Sequence, residues 1–244
     1  MRSVAAIAKR ELVAYFATPV AYVFIIIFLA VSAALTFYVG GFFERRQAAL
    51  DTFFTFHPWL FLFLIPAVGM RLWAEERKTG TIELLTTMPV TTTAAVIGKF
   101  LAAWAFIAAA LALTAPMWLT VNILGEPDNG VILASYVGSL LMAGAFLAIT
   151  SCMSALTRNQ VVAFILGATV CFLFTMSGVE LVLETVRAIA PAAVVDAVAS
   201  LSFLSHFSTI TKGVIDLRDL VFFVSMIVFW LFATTIIVNA RKGL

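Results

Sequence analysis

Charge is what this chain has least of. Only 11% of its residues are charged, against about 25% in an ordinary soluble domain. With 63% hydrophobic residues over 244 positions and a mean hydropathy of +1.10, no soluble fold of this size could hide the apolar surface. The composition therefore points to an integral membrane protein. A net charge of +2 is too small for a nucleic-acid binder, which needs a clustered basic surface. Cysteine and histidine are nearly missing as well. Cys152, Cys171, His57 and His206 stand far apart, without the paired spacing of a metal site. The two cysteines read as small packing residues, and His57 as a hydrogen-bonded structural residue.

Catalytic machinery is absent too. There is no His-Glu-x-x-His, no Gly-x-Ser-x-Gly and no paired intramembrane aspartate, so a protease or esterase reading has nothing to stand on. Gly98-Lys99 superficially suggests a phosphate loop, but the position that should hold its first glycine is Thr93, so no Walker A motif exists. This chain is not expected to be an enzyme or to bind a cofactor or metal. If ATP drives it, another polypeptide binds the nucleotide. No ionisable residue falls near the middle of a long apolar run, where ion-coupled transporters place such groups.

What is present is a series of uncharged runs. Residues 20–40 contain no charge over 21 positions; at ~1.5 Å per residue they cross a ~30 Å hydrocarbon core, which a cleavable signal of ~7–15 apolar residues would not. The runs predict six spans, at residues 20–40, 52–70, 100–123, 131–156, 161–179 and 220–239. Gly125-Glu-Pro-Asp-Asn-Gly130 reads as a tight turn and Thr157-Arg-Asn-Gln160 as a polar hairpin. With the N-terminus inside, the inner segments hold ten basic residues (Arg2, Lys9, Arg10, Arg71, Arg77, Lys78, Lys99, Arg158, Arg241, Lys242) and the outer segments five (Arg45, Arg46, Arg187, Lys212, Arg218). That asymmetry favours cytoplasmic termini. Tyr15, Tyr22 and Trp73 then mark the inner boundary, Tyr38 and Trp118 the outer one.

Three segments depart from simple spans. Residues 1–19 are amphipathic: Val4, Ile7, Ala8, Leu12, Tyr15 and Phe16 share one arc, with Arg2, Ser3, Lys9 and Arg10 on the other and Glu11 as a misfit. This predicts an interface helix with its basic side toward lipid headgroups, turned into the first span by Thr18-Pro19. Residues 180–219 tempt a seventh span but carry Pro191, Asp196 and His206. The expectation is two short extracytoplasmic helices that dip in and return, as protein cover or water allows. Glu180, Glu184 and Arg187 line one helical face there, Gly213 stops the second helix, and Asp216, with Asp219 three residues later, caps the last span. Residues 71–99 hold seven of the chain's 15 basic and 13 acidic residues. Arg71 and Trp73 close the second span, Glu75, Glu76, Arg77 and Lys78 carry its helix into water, and Thr79-Gly80 breaks it. Residues 81–87 are expected to form a short helix with Glu83 in its first turn, Met88-Pro89 to end it, and Thr91 or Thr92 to cap the next helix. So short a helix is marginal alone in water; Ile82, Leu84, Leu85 and Met88 give it an apolar surface for a partner, or for this chain's own inner face.

Glu75-Glu-Arg-Lys-Thr-Gly-Thr-Ile-Glu-Leu-Leu-Thr-Thr-Met-Pro-Val90, followed by Gly98-Lys-Phe100, resembles the signature of ABC type-2 transporter permeases, with Met88 in place of the commoner leucine. Phe42-Phe-Glu-Arg45, Pro58-Trp-Leu-Phe-Leu-Phe-Leu-Ile-Pro66, Met70-Arg-Leu-Trp-Ala-Glu-Glu76, Asn159-Gln-Val-Val-Ala-Phe164 and Gly213-Val-Ile-Asp-Leu-Arg-Asp219 are similar to the gliding-motility (GldF-like) subgroup. The resemblance implies an all-α integral membrane protein: one domain over residues 1–244, six transmembrane helices, an N-terminal interface helix and re-entrant extracytoplasmic helices before the last span. It implies a bacterial inner-membrane permease of exporter or force-transmitting type. The permease pairs as a homodimer in membrane lipid on a dimer of cytoplasmic ABC ATPase subunits, which hold ATP and magnesium. An auxiliary membrane-anchored extracytoplasmic protein accompanies many such pairs. The resemblance implies ATPase coupling through Glu75, Glu76, Arg77, Gly80, Thr81, Ile82, Glu83, Leu84 and Pro89. Lys9, Arg10 and Glu11 belong to the interface helix; Glu180, Glu184, Arg187, His206 and Asp216 belong to the extracytoplasmic segment. The reading from another class is a non-transporting polytopic scaffold that anchors partner proteins. Small residues four apart (Ala134 and Gly138; Gly144, Ala148 and Cys152) could bring two copies together, and the first span, rich in Phe and Ile, is an equal candidate.

Overall fold

A computed structural model describes residues 2–81 and 90–240. Among them every regular element is helical. Helix α1 (Arg2–Phe16) precedes α2 (Pro19–Ala34), which runs into a π-helical turn at Leu35–Val39. Then come α3 (Asp51–Thr55), α4 (His57–Gly69), α5 (Arg71–Thr79), α6 (Thr92–Ala112), α7 (Ala115–Leu124), α8 (Asn129–Leu156) and α9 (Gln160–Met176). Three short helices follow, α10 (Glu180–Arg187), α11 (Ala192–Ser200) and α12 (Phe203–Ile210), and α13 (Leu217–Ala240) closes the described chain. Five helical stretches are long and apolar enough to cross a membrane, or up to seven if each of two bent pairs is one span. The bent pairs are α9 with α10, at 78°, and α11 with α12, at 57°.

Helix ends fall where the sequence places caps. The Thr91 hydroxyl accepts from the Ala94 N–H, Asp128 Oδ1 from the Gly130 and Val131 N–H groups, and Asn159 Oδ1 from the Val161 N–H. Each satisfies a donor that the first turn leaves open. Gly80 ends α5 at φ 74°, and Gly213, at φ 84°, follows α12; both backbones are left-handed, a conformation glycine reaches without a Cβ clash.

The core is built around α8. Every residue from 142 to 155 is buried, and α4, α5, α6, α9, α12 and α13 all pack on this helix. Such sheathing requires small residues. A Cβ at Gly138 would meet Ile210, and one at Gly144 would meet Trp104 and Ile227. Ala148 is 0% and Cys152 2% exposed. The small-residue stripe is therefore filled by this chain's own helices. On α4 and α9, Gly69 and Gly167 both close on Thr150, each with an added Cβ at 2.8 Å from it.

The helix that follows the charged loop starts at Thr92 behind its Thr91 cap, as expected, so Lys99 lies about two turns inside it. Two expectations are corrected. The second apolar run breaks at Phe56 between α3 and α4. The segment before α13 holds three short helices rather than two, because Pro191 and Ser202 each start a new one.

Candidate functional site

The face of the bundle that carries α1, Gly80 and the start of α6 gathers most of the buried and half-buried charge among the described residues, Glu11, Arg71, Glu76, Arg77 and Lys99. Helix α4 breaks at Met70, which leaves the first N–H groups of α5 without their ordinary partners. Ser154 on α8 supplies them. Its Oγ accepts from the Trp73 and Ala74 N–H groups at 3.1 and 3.0 Å and donates to the Met70 carbonyl at 2.8 Å. One hydroxyl thus uses its single donor and both acceptor positions. Trp73 is 0% exposed, and its Nε1–H donates to Ser151 Oγ at 3.1 Å. It is an anchor into α8, not the lipid-facing belt residue the pattern suggests, because the serines at 151 and 154 lie on one helical face and draw it inward. Lower on α5, Arg77 Nη1 donates to the Ala155 carbonyl at 2.6 Å.

The charge centre is Lys99, 4% exposed. Its Nζ lies 2.7 Å from Glu76 Oε1 and 3.4 Å from Glu11 Oε1, and 5.6 Å from the Trp73 ring centroid. Glu11 also accepts from Arg10 at 2.7 Å. Burial by itself pushes the Glu11 carboxyl up; the Lys99 ammonium and the Arg10 guanidinium outweigh it and hold the group below its ordinary value. The misfit on the amphipathic helix is therefore a partner of Lys99. Gly98 makes the approach possible: a Cβ there would fall 2.8 Å from Ile7 Cγ2 and 3.2 Å from the Val4 carbonyl. So α1 lies directly on α6, with Tyr15 stacked on Phe106 at 5.3 Å. Arg10 and Lys9 stay exposed.

The coupling residues split accordingly. Glu76 and Arg77 are half-buried and bonded into the bundle; Glu75, Gly80 and Thr81 are exposed. Thr81 Oγ1 lies 3.0 Å from Thr79 Oγ1. Ile82, Glu83, Leu84 and Pro89, with the short helix expected at 81–87, lie outside the described residues beyond Thr81, as do Arg241 and Lys242.

The opposite face holds the remaining candidates. His206 on α12 stacks on Phe222 at 4.0 Å, with Nδ1 2.5 Å from Asp219 Oδ1 and Nε2 3.0 Å from the Ser200 carbonyl. A carbonyl only accepts, so the bond to Ser200 is donated by Nε2, while Nδ1 faces the Asp219 carboxyl. Asp219 is 4% exposed and serves as a cross-link between α12 and α13. Its expected share in capping is corrected: Asp216 alone takes that place, with Oδ1 accepting from the Arg218 N–H at 3.1 Å. Glu180 pairs with Arg187 at 2.8 Å, but the two side chains are 66% and 55% exposed, where such a pair contributes little. Glu184 is exposed on the same helix. His57 is 0% exposed, boxed by Phe53, Phe54 and Phe61, with Nδ1 2.7 Å from Ser139 Oγ. Among the described residues no group of three or more His, Cys, Asp or Glu side chains could hold a metal.

A family model described as ABC-2 family transporter protein matches residues 8–178. The chain belongs to that family. As an ABC-2 member it is a multi-pass membrane protein and the permease component of an ABC transporter, a transport component that is not itself catalytic. The matched stretch spans α1 to the end of α9, and so includes the whole Glu11–Lys99–Glu76 cluster; the His206–Asp219 link lies beyond it. No curated protein matches the chain. The sequence missed Lys99, Ser154 and Asp219 as structural partners. The only advance signals were a lone lysine in an apolar helix and serines three apart on α8.

Proposed function

We propose that this ABC-2 permease couples ATP hydrolysis on a separate cytoplasmic ATPase dimer to movement of its spans, as an exporter or force-transmitting subunit of the bacterial inner membrane. The observation that carries the reading is the Lys99 cluster. The two legs of the charged loop are α5, which enters it, and α6, which leaves it; Lys99 ties them together through Glu76 and ties both to α1 through Glu11. Ser154 and the Ala155 carbonyl bind α5 to α8 at the same level. A push delivered between residues 80 and 91 therefore reaches the central helix through hydrogen-bonded, buried contacts rather than through a slack hinge.

In this reading Gly80 and Thr81, with Ile82, Glu83, Leu84 and Pro89, meet the ATPase, and ATP and magnesium stay on that subunit. A second permease copy packs through outer helices, since α8 is already covered, and an auxiliary extracytoplasmic protein would meet α10–α12. The GldF-like subgroup assignment rests on the motifs alone.

The test is a disulfide or photo-crosslink from Thr81→Cys to a candidate ABC ATPase subunit, together with ATPase assays of the reconstituted complex. Glu83→Lys should leave membrane insertion intact and abolish stimulation of hydrolysis by transport. A scaffold would instead show no ATPase crosslink, and Glu83→Lys would change nothing.

A further inference from the structure

Next to the Lys99 cluster lies an apolar cavity of about 200 Å³ enclosed by the end of α1, the first half of α2 and the end of α4. Ala21, Phe24, Leu64 and Ala67 are among its walls. It adjoins a charged cleft of about 250 Å³ lined by Glu11, Glu75, Glu76 and Lys99. Tyr15, Thr18 and Arg71 belong to both, so Arg71 stands at the neck between an oily space and a polar one. Together the two spaces reach the size of ordinary small-molecule sites, ~300–1,000 Å³.

The charges of the cleft are not all satisfied. Lys99 and Arg10 are matched by Glu76 and Glu11. Arg71 makes no ion pair among the described residues, and its Nε is buried with no hydrogen-bond partner. A buried donor left open is costly, more so on a charged group. Glu75, exposed and also without an ion pair among the described residues, sits four positions on, one turn further along the same face of α5. What remains after internal pairing is thus one cation and, about 6 Å beyond it along the axis, one anion, beside an apolar cavity. We infer that this is a binding site for a zwitterionic aminophospholipid: an acyl chain in the cavity, the phosphate on Arg71, the ammonium on Glu75. A purely anionic lipid matches Arg71 but is opposed by Glu75, which decides between the two headgroups. The site does not depend on an ATPase partner. It places a resident lipid under the joint between the interface helix and the first span.

Native mass spectrometry of the full-length protein, released from nanodiscs of equal phosphatidylethanolamine and phosphatidylglycerol, tests this. The wild type should keep one phosphatidylethanolamine per chain. Arg71→Gln should lower its retention ~10-fold or more, the loss expected for a charge-assisted bond. Ala67→Phe, which fills the cavity, should lower it as well. Glu75→Gln should keep the site but turn its preference to phosphatidylglycerol. The inference is overturned if the wild type retains phosphatidylglycerol instead, or if Glu75→Gln leaves the preference unchanged. Undiminished retention by Ala67→Phe would overturn it too, and so would a disulfide between two Val23→Cys copies that forms without displacing lipid. Should Arg71→Gln fail to fold, the Glu75→Gln switch and the Ala67→Phe loss decide alone.

Discussion

Lys99 Nζ and Glu76 Oε1 meet at 2.7 Å, although Lys99 is the sole charge on α6 and its side chain is only 5% exposed. Removing one partner of a buried pair leaves the other uncompensated, which costs ~3–5 kcal/mol. Lys99→Met should therefore destabilise the protein by about that much, since it strands Glu76 and leaves Glu11 with Arg10 alone. Lys99→Met with Glu76→Gln should recover part of the loss. Thermal unfolding of the four members of the double-mutant cycle in one detergent measures the coupling; additive losses would mean that Lys99 and Glu76 do not hold α5 and α6 together.

Acid should loosen the same joint. Glu11 is held below its ordinary value of 4.5, so its ionised form is the one the fold prefers. Its contribution is complete above pH 4.5 and fades as the pH falls through the lower folded value. The stability difference between wild type and Glu11→Gln, read by thermal unfolding, should be largest near neutral pH and shrink on acidification from pH 5 downward.

Ser154→Ala is predicted to leave the Trp73 and Ala74 N–H groups without acceptors, at ~1–3 kcal/mol for each buried group left open, unless α4 and α5 straighten into one helix. Both outcomes are measurable: the first as a lowered unfolding temperature, the second as a changed distance between spin labels at Phe63→Cys and Lys78→Cys.

At the other end, His206→Phe keeps the stack on Phe222 but abandons the Asp219 carboxyl. Asp219→Asn keeps a hydrogen bond to Nδ1. The first should be the more destabilising by ~1–3 kcal/mol, with α12 becoming accessible to protease before the bundle melts. Equal effects would mean that the link contributes nothing to holding α12 on α13.

Gly98→Val should push α1 away from α6, because its Cβ alone would collide with Ile7. Overpacking of this kind costs ~1–3 kcal/mol. Ile7→Ala should relieve it. Limited proteolysis after Arg10 reads the displacement directly.

Local chemistry made much of this fold legible in advance. Thr91, Asp128 and Asn159 start helices where short polar side chains precede apolar runs; Gly80 and Gly213 lie where helices stop. These are decisions between near neighbours in the chain. What stayed hidden was long-range pairing. Nothing near Glu11 announces Lys99, and nothing near Trp73 announces Ser151 and Ser154, so a paired carboxylate read as a misfit and an enclosed indole as a belt residue. The stripe of small residues on α8 was visible, but a stripe gives no sign of whether its occupant is a sister copy or, as here, Ile210, Trp104 and Ile227.

The order of synthesis turns the sheathing of α8 into a matter of biogenesis. Its most extensive neighbour, α13, is the last described helix, so a nascent chain leaves the α13-facing flank of α8, where Ile227 covers Gly144, open until residues 217–240 arrive. A ribosome that stops before Leu217 releases a polypeptide with that flank bare in the bilayer, an address for membrane proteases or chaperones that the finished protein no longer displays.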